Sequence, residues 1–241
     1  MKFQRGPVGR RVDKFLNYFL TSSISRSVRD ENLTYLTPMK MRRLESAVSK
    51  VLKDNVAGDV AEFGIALGGS AIVLAWHARH FQRKFHGFDV FRMIPPPSSD
   101  KDGTDSKKRY EVIASGRSEG IKGGQYYGYK HDLYGEVCRS FARYGMPVDA
   151  SRIELHKGLF SETLAALPPA PIAFAHVDCD WYDPVKLCLS EIAKRSNVGT
   201  SVVIDDYHDW SGCRQATNEF IATHPNFAAN EGPNLILRRV R

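Results

Sequence analysis

From Asp59 onward the sequence alternates short apolar runs with longer stretches of helical periodicity, and that alternation admits few folds. DVAEFG leads through IALGGS into AIVLAWHARHF, which reads as strand, glycine turn and helix. FHGFD (85–89), RIELH (152–156), PIAFAHV (171–177) and TSVVI (200–204) repeat the strand pattern, with helical patterns between most of them. Strands separated by helices specify an α/β fold: a mostly parallel sheet with helices on both faces. The tail NFAANEGPNLILRRV sets a turn between two short strands, so a closing hairpin is expected after a helix around Cys213 to Thr223.

Two segments break the rhythm. Residues 1–57 are helical in pattern and precede the first strand, so they are expected to form a cap on a core of residues 58–241. In the cap, Val12, Phe15, Leu16, Phe19 and Leu20 share one helical face. A second helix starts with Thr37 as N-cap and Pro38 in the first turn, and runs to about Lys53. The amphipathic first helix suits either internal packing or a homo-oligomer. Residues 92–129 are rich in Pro, Gly, Ser and Lys, with too few apolar positions to build core, and read as a long loop or lid. After it, Leu133, Val137, Phe141 and Tyr144 fall on one helical face that stops at Gly145.

The chain has 241 residues, enough for a sizeable core, and a net charge of +7, which favours anionic partners. Its basic residues are dispersed, so nucleic acid is not implied. Four cysteines, at 138, 179, 188 and 213, show no CxxC pair and no zinc spacing, and read as reduced thiols. No apolar stretch approaches ~18 residues, and the start MKFQRGPVGRR lacks the apolar core of a signal peptide. A cytoplasmic location without membrane insertion is expected.

The chemistry lies at the strand ends. After the first strand, Glu62, Gly64, Gly68, Gly69 and Ser70 form a glycine turn that lets backbone approach a ligand and offers free helix amides. The spacing is not GxGxxG. Glu62 suits an ammonium group, and Asp89, closing the second strand, suits two ribose hydroxyls. Together they outline S-adenosylmethionine better than NAD. The fourth strand opens onto Asp178, Cys179 and Asp180, and the fifth onto Asp205 and Asp206. Carboxylates so crowded call for a compensating cation or a shifted proton. Asp178, Asp205 and Asp206 form an all-oxygen set for magnesium, manganese or calcium, leaving Asp180 free to act as a base. Asp183 is expected to cap a helix starting at Pro184.

These residues, in VAEFGIALGGS, GFDVFRMIP, HKGLFSETL, HVDCDWYDP and VVIDDYHDWSGCRQA, carry a resemblance to the macrocin O-methyltransferase family over roughly residues 35–225. The resemblance implies a Rossmann-like class I methyltransferase fold, S-adenosylmethionine, and a Mg2+ or Mn2+ ion held by Asp178, Asp205 and Asp206. It implies Asp180 as general base, cofactor contacts at Glu62, Gly64, Ser70 and Asp89, and Gly158 and Phe160 near the adenine. The expected reaction is O-methylation of a sugar hydroxyl on a natural-product glycoside or a polysaccharide precursor. A catechol-type small-molecule O-methyltransferase and a basic nucleic-acid-binding protein or RNA methyltransferase are the competing readings. Secondary candidates are His208 as a fourth ligand or base, His176 as a core histidine, and Tyr35, Tyr126, Tyr127, Tyr129, Trp181 and Tyr182 as aromatic walls. In the lid, Lys101, Lys107, Lys108, Arg109 and Lys122 suit an anionic sugar derivative.

Overall fold

The computed structural model describes residues 16–166 and 170–241. Val12 and Phe15 therefore lie outside the described residues, while Leu16, Phe19 and Leu20 are each more than half exposed. Seven strands form one sheet: β1 (Asp59–Phe63), β2 (Phe85–Asp89), β3 (Ile153–Lys157), β4 (Ile172–Val177), β5 (Ser196–Ile204), β6 (Phe227–Asn230) and β7 (Leu235–Arg239). Their spatial order is β3-β2-β1-β4-β5-β7-β6. The first five run parallel, and the β6–β7 hairpin closes the edge antiparallel to β5. The chain winds outward from β1 to β3, then returns to β4 beside β1. That reversal opens a crevice past the carboxyl ends of β1 and β4, the place where open parallel sheets bind ligands.

Both faces of the sheet are covered, which explains why a strand such as β4 is apolar except at His176 and buried at every position. One face packs Val60, Phe85, Phe174 and Val203 against α1 (Ser23–Asp30), α2 (Pro38–Lys53), α3 (Gly69–His80) and, beyond the insertion, Leu133, Val137 and Phe141. The N-terminal helices thus share the core of the sheet, through Val28, Met41, Leu44 and Val48. Thr37 caps α2, its hydroxyl accepting from the Lys40 amide, with Pro38 at the first position as the sequence indicates. The other face packs Ala61, Phe63, Ala175 and Val202 against residues of the helices that follow β4 and β5.

The insertion is more ordered than its composition suggests. It contains α4 (Thr104–Ala114), and two further short turns at Ile121–Gly123 and Tyr127–Tyr129, before α5 (Leu133–Arg143). Ser106 and Ile113 are the buried positions of α4, one of them polar, so the helical stripe carries little hydrophobic signal. After α6 (Phe160–Thr163) and β4 comes α7 (Tyr182–Arg195), and α8 (Ser211–Thr223) follows β5. Helix α7 starts earlier than expected, with Trp181 at the N-cap and Asp183 inside the first turn. The capping acceptor comes from the insertion instead: Asp102 Oδ1 accepts from the Tyr182 amide at 2.9 Å. Asp183 accepts from the Ser98 hydroxyl at 2.7 Å. No helix among the described residues is long and apolar enough to cross a membrane.

Candidate active site

A cavity of about 770 Å³ occupies the crevice. Its floor is the switch point, and the geometry there depends on Gly64. With φ at +92°, Gly64 turns the chain so tightly against β4 that a Cβ would sit 1.8 Å from the Asp178 carbonyl oxygen. The Asp178 amide in turn donates to the Phe63 carbonyl at 2.9 Å. The first turn and the first acid are therefore braced on each other.

Asp89 shapes one half of the cavity. One of its oxygens accepts from the amides of Ile65 (2.7 Å) and Ala66 (3.0 Å), and the other from Phe91 (2.6 Å). It fixes the glycine turn while lining the cavity with Gly64 and Phe160. Gly158 donates its amide to the Asp89 carbonyl at 3.0 Å and sits at φ +150°, which turns the chain toward Phe160. Ser70 is buried in the first turn of α3 and does not line the cavity. Glu62 also lies behind the wall. It is fully buried, with one oxygen 2.7 Å from His176 Nδ1 and the other without a hydrogen-bond partner.

The acids converge on the other half. One oxygen from each of Asp178, Asp205 and Asp206 lies within 4.8 Å of the others. Burial, then the charges of Asp206 and Asp205, hold Asp178 well above the usual carboxylate range. Asp206 is raised in the same way by burial and by Asp180 and Asp205. Asp205 goes down: burial opposes ionisation, but His176 and Lys40 stabilise the anion. Lys40 Nζ donates to Asp205 Oδ2 (2.8 Å), to the Asp205 carbonyl (3.0 Å) and to Asp209 Oδ2 (2.7 Å). Oδ1 of Asp205 is left buried with no hydrogen-bond partner, 3.9 Å from His176 Nε2. A hard divalent cation fits this donor set, because the set is all oxygen and includes an orphaned buried acceptor.

Asp180 stands beside the cluster in the left-handed region, at φ +57°, and its amide donates to Asp206 Oδ2 at 3.1 Å. Burial, opposed by a hydrogen bond from Trp210 and reinforced by Asp205, pushes its carboxyl up to about 6. Trp181 and Trp210 meet edge to face at 5.4 Å on one wall, and Tyr35 and Tyr127 at 6.1 Å on another. Tyr126 and Tyr127 line the cavity, whereas Tyr129 and Tyr182 do not. His208 faces away, its Nε2 3.6 Å from Glu231.

Three residues escape a reading by sequence. Lys40 lies 165 positions from Asp205, so no local spacing announces their pairing. His176 is buried as a core histidine would be, yet it bridges the two halves of the site, and the carboxylates of Asp205 and Glu62 overcome burial to lift it to about 10. Asp102 braces the start of α7 from an insertion with weak helical signal.

The family profile described as Macrocin-O-methyltransferase (TylF) matches residues 30–228, most of the chain. The chain belongs to the macrocin O-methyltransferase family. Among relatives of this family member, the tetracenomycin 4'-O-methyltransferase of Streptomyces olivaceus, which acts on a 2,3-dimethoxy-rhamnosyl group by its name, is 28% identical over 75% of this chain. That match covers 64% of the relative, so the chain spans somewhat under two thirds of its length. The demethyldecarbamoylnovobiocin O-methyltransferase of Streptomyces niveus is 26% identical over 77% of this chain and 68% of its own. The solved structure of the O-methyltransferase NovP superposes with a TM-score of 0.71 at 22% identity, covering 87% of this chain and 83% of that one. This macrocin O-methyltransferase family member therefore has the Rossmann-like class I methyltransferase fold.

Proposed function

We propose that the protein is a divalent-cation-dependent O-methyltransferase that moves the methyl group of S-adenosylmethionine to a sugar hydroxyl. The observation that carries this reading is the convergence of Asp178, Asp205 and Asp206 within 4.8 Å beside Asp180, in the crevice that also holds Asp89 and Gly64. Family membership and the rhamnosyl group in the name of the Streptomyces olivaceus relative support a sugar as acceptor.

When bound, Mg2+ or Mn2+ makes a coordinated hydroxyl more acidic, and the sulfonium cofactor supplies an electrophilic methyl group. The protein's own residues do the rest. Asp178, Asp205 and Asp206 would hold the cation, with Lys40 on Oδ2 of Asp205 and Oδ1 left without a hydrogen bond. Asp180 accepts the proton of the acceptor hydroxyl. With a carboxyl near 6 it is ionised at neutral pH and more basic than an ordinary aspartate. Asp89 and the turn at Gly64 seat the nucleoside, with Phe160 against the adenine. Glu62 and Ser70 lie behind that seat, and Glu62 is tied through His176 to Asp205 in the acid half. The tryptophan and tyrosine walls exclude water and orient the acceptor, so that attack is in line and positioning supplies much of the rate.

The test is methyl transfer from labelled S-adenosylmethionine to a panel of glycosides and to a vicinal diphenol, with and without chelator. Label on a glycoside that disappears with chelator is expected. Transfer to the diphenol alone, or transfer indifferent to chelator, would overturn the proposal.

A further inference from the structure

Among the described residues the Arg109 guanidinium meets only a ring face and the more distant charge of Asp180. It projects from α4 into the cavity, and Arg92 lines the same cavity from the segment after β2. Among the described residues neither guanidinium has a hydrogen bond to a protein acceptor or an ion pair. Other cations nearby are spent. Lys40 binds Asp205 and Asp209, and Lys101 binds Glu219 at 2.6 Å and the Tyr182 hydroxyl at 2.7 Å. Arg109 instead sits over the face of Tyr126, 5.9 Å from the ring centroid, a contact that supports the guanidinium and leaves its donors open.

A counter-ion role for the acids does not account for it. Arg109 lies near enough to Asp180 to favour its ionised form, yet forms no ion pair with it. A half-buried guanidinium over an aromatic ring, with free donors aimed into a ligand cavity, is built for a planar or tetrahedral oxyanion. The net charge of +7 points the same way.

We propose that Arg109, with Arg92 at the rim, binds an oxyanion carried by the acceptor, so that the substrate is an anionic sugar derivative. This rests on the function proposed above and names its substrate class. The oxyanion is a phosphate, as in a nucleotide-linked sugar, or the carboxylate of a uronic acid. Both present paired oxygens to the fork of the guanidinium.

The experiment uses protein loaded with Mg2+ and S-adenosylhomocysteine. Calorimetric titrations compare methyl glucoside with two anionic partners, glucose 1-phosphate and methyl glucuronide. Tighter binding of at least one anionic compound is expected, by on the order of tenfold or more, and which one prevails identifies the source of the oxyanion. R109Q should remove that preference while leaving methyl glucoside unchanged, and R109K should restore part of it. Equal affinities for charged and neutral compounds, absence of binding to all of them, or equal losses in R109Q would overturn the proposal. Failure of S-adenosylhomocysteine to bind at the loading step would sink the methyltransferase reading instead, so the two failures are distinguishable. Circular dichroism of R109Q checks that α4 is retained.

Discussion

Removing the Lys40 charge should destabilise the protein in a way that a divalent cation repairs. Lys40 is a poor candidate for an ordinary surface ion pair: its side chain is 15% exposed, that of Asp205 is 9% exposed, and three short hydrogen bonds join it to Asp205 and Asp209. Deleting one member of a buried pair costs about 3–5 kcal/mol, chiefly because the partner is left as an uncompensated charge. In K40M that partner is Asp205, beside Asp178 and Asp206 and left with His176, 3.9 Å away, as its one remaining opposite charge, so the low end of that range applies. The contact with Asp209 is half exposed and adds little. A loss of about 3 kcal/mol in chelator follows. A divalent cation binding only the folded state returns RT ln(1 + [L]/Kd), about 2.7 kcal/mol at a hundredfold excess over Kd. In the variant the cation also takes over the neutralisation that Lys40 supplied. Urea unfolding of wild type and K40M, each in chelator and in excess Mg2+, should give a larger Mg2+ stabilisation for the variant. A deficit under about 1 kcal/mol, or one identical in both conditions, would refute the inference that Lys40 and a cation serve the same carboxylate.

Three other outcomes are expected. G64A should lose about 2–5 kcal/mol in urea unfolding, the sum of strain at φ +92° and displacement of the Asp178 backbone, and should bind Mn2+ more weakly by titration of the free ion's spin signal. D180N should retain binding of cation and cofactor but lose on the order of 10²–10⁴ in kcat; asparagine tolerates the φ of +57°, so loss of fold would contradict the assignment. Glu219, drawn down to about 2 by hydrogen bonds from Lys101 and Tyr182, contributes stability that is complete above the ordinary value of 4.5 and disappears as pH falls through about 2. Between those limits the unfolding midpoint of wild type should therefore fall more steeply than that of E219Q.

The strands are legible in the sequence because the central ones, β4 and the second half of β5, are almost wholly apolar and the runs are bounded by glycine, acid or turn residues. A parallel sheet buried on both faces requires that pattern. Asp178, Asp205 and Asp206 can be grouped from their positions in the chain because strand ends in such a sheet share one crevice. Helix α4 reads as loop because its buried positions, Ser106 and Ile113, make too thin a stripe against Lys107, Lys108 and Asp105. Asp183 resembles a cap because it precedes Pro184, but the amide at the start of α7 is satisfied by Asp102 across the fold. Contacts of this kind, like the one between Lys40 and Asp205, are fixed by tertiary packing and leave no local period to read. His176 shows the subtler failure. Its burial follows from an apolar strand, whereas its two carboxylate neighbours belong to β1 and to the end of β5.

The acids at the strand ends pose an electrostatic difficulty that the fold resolves before any ligand arrives. Glu62, His176, Asp205, Lys40 and Asp209 succeed one another in space with alternating charge, at separations of 2.7, 3.9, 2.8 and 2.7 Å. Each interior member of the chain has an opposite charge on both sides, so Asp205 can remain ionised in a buried place where Asp178 and Asp206 are driven toward the neutral form. One carboxylate is therefore held ready, with its Oδ1 unclaimed by a hydrogen bond. On the function proposed, a bound cation would let the other two ionise fully, and cation binding would then be coupled to proton release. The chain of charges starts behind the cavity wall at β1 and passes through Lys40 on α2. The N-terminal layer thereby reaches the reacting centre through Lys40, and a substitution on α2 is expected to register at the strand ends of the sheet.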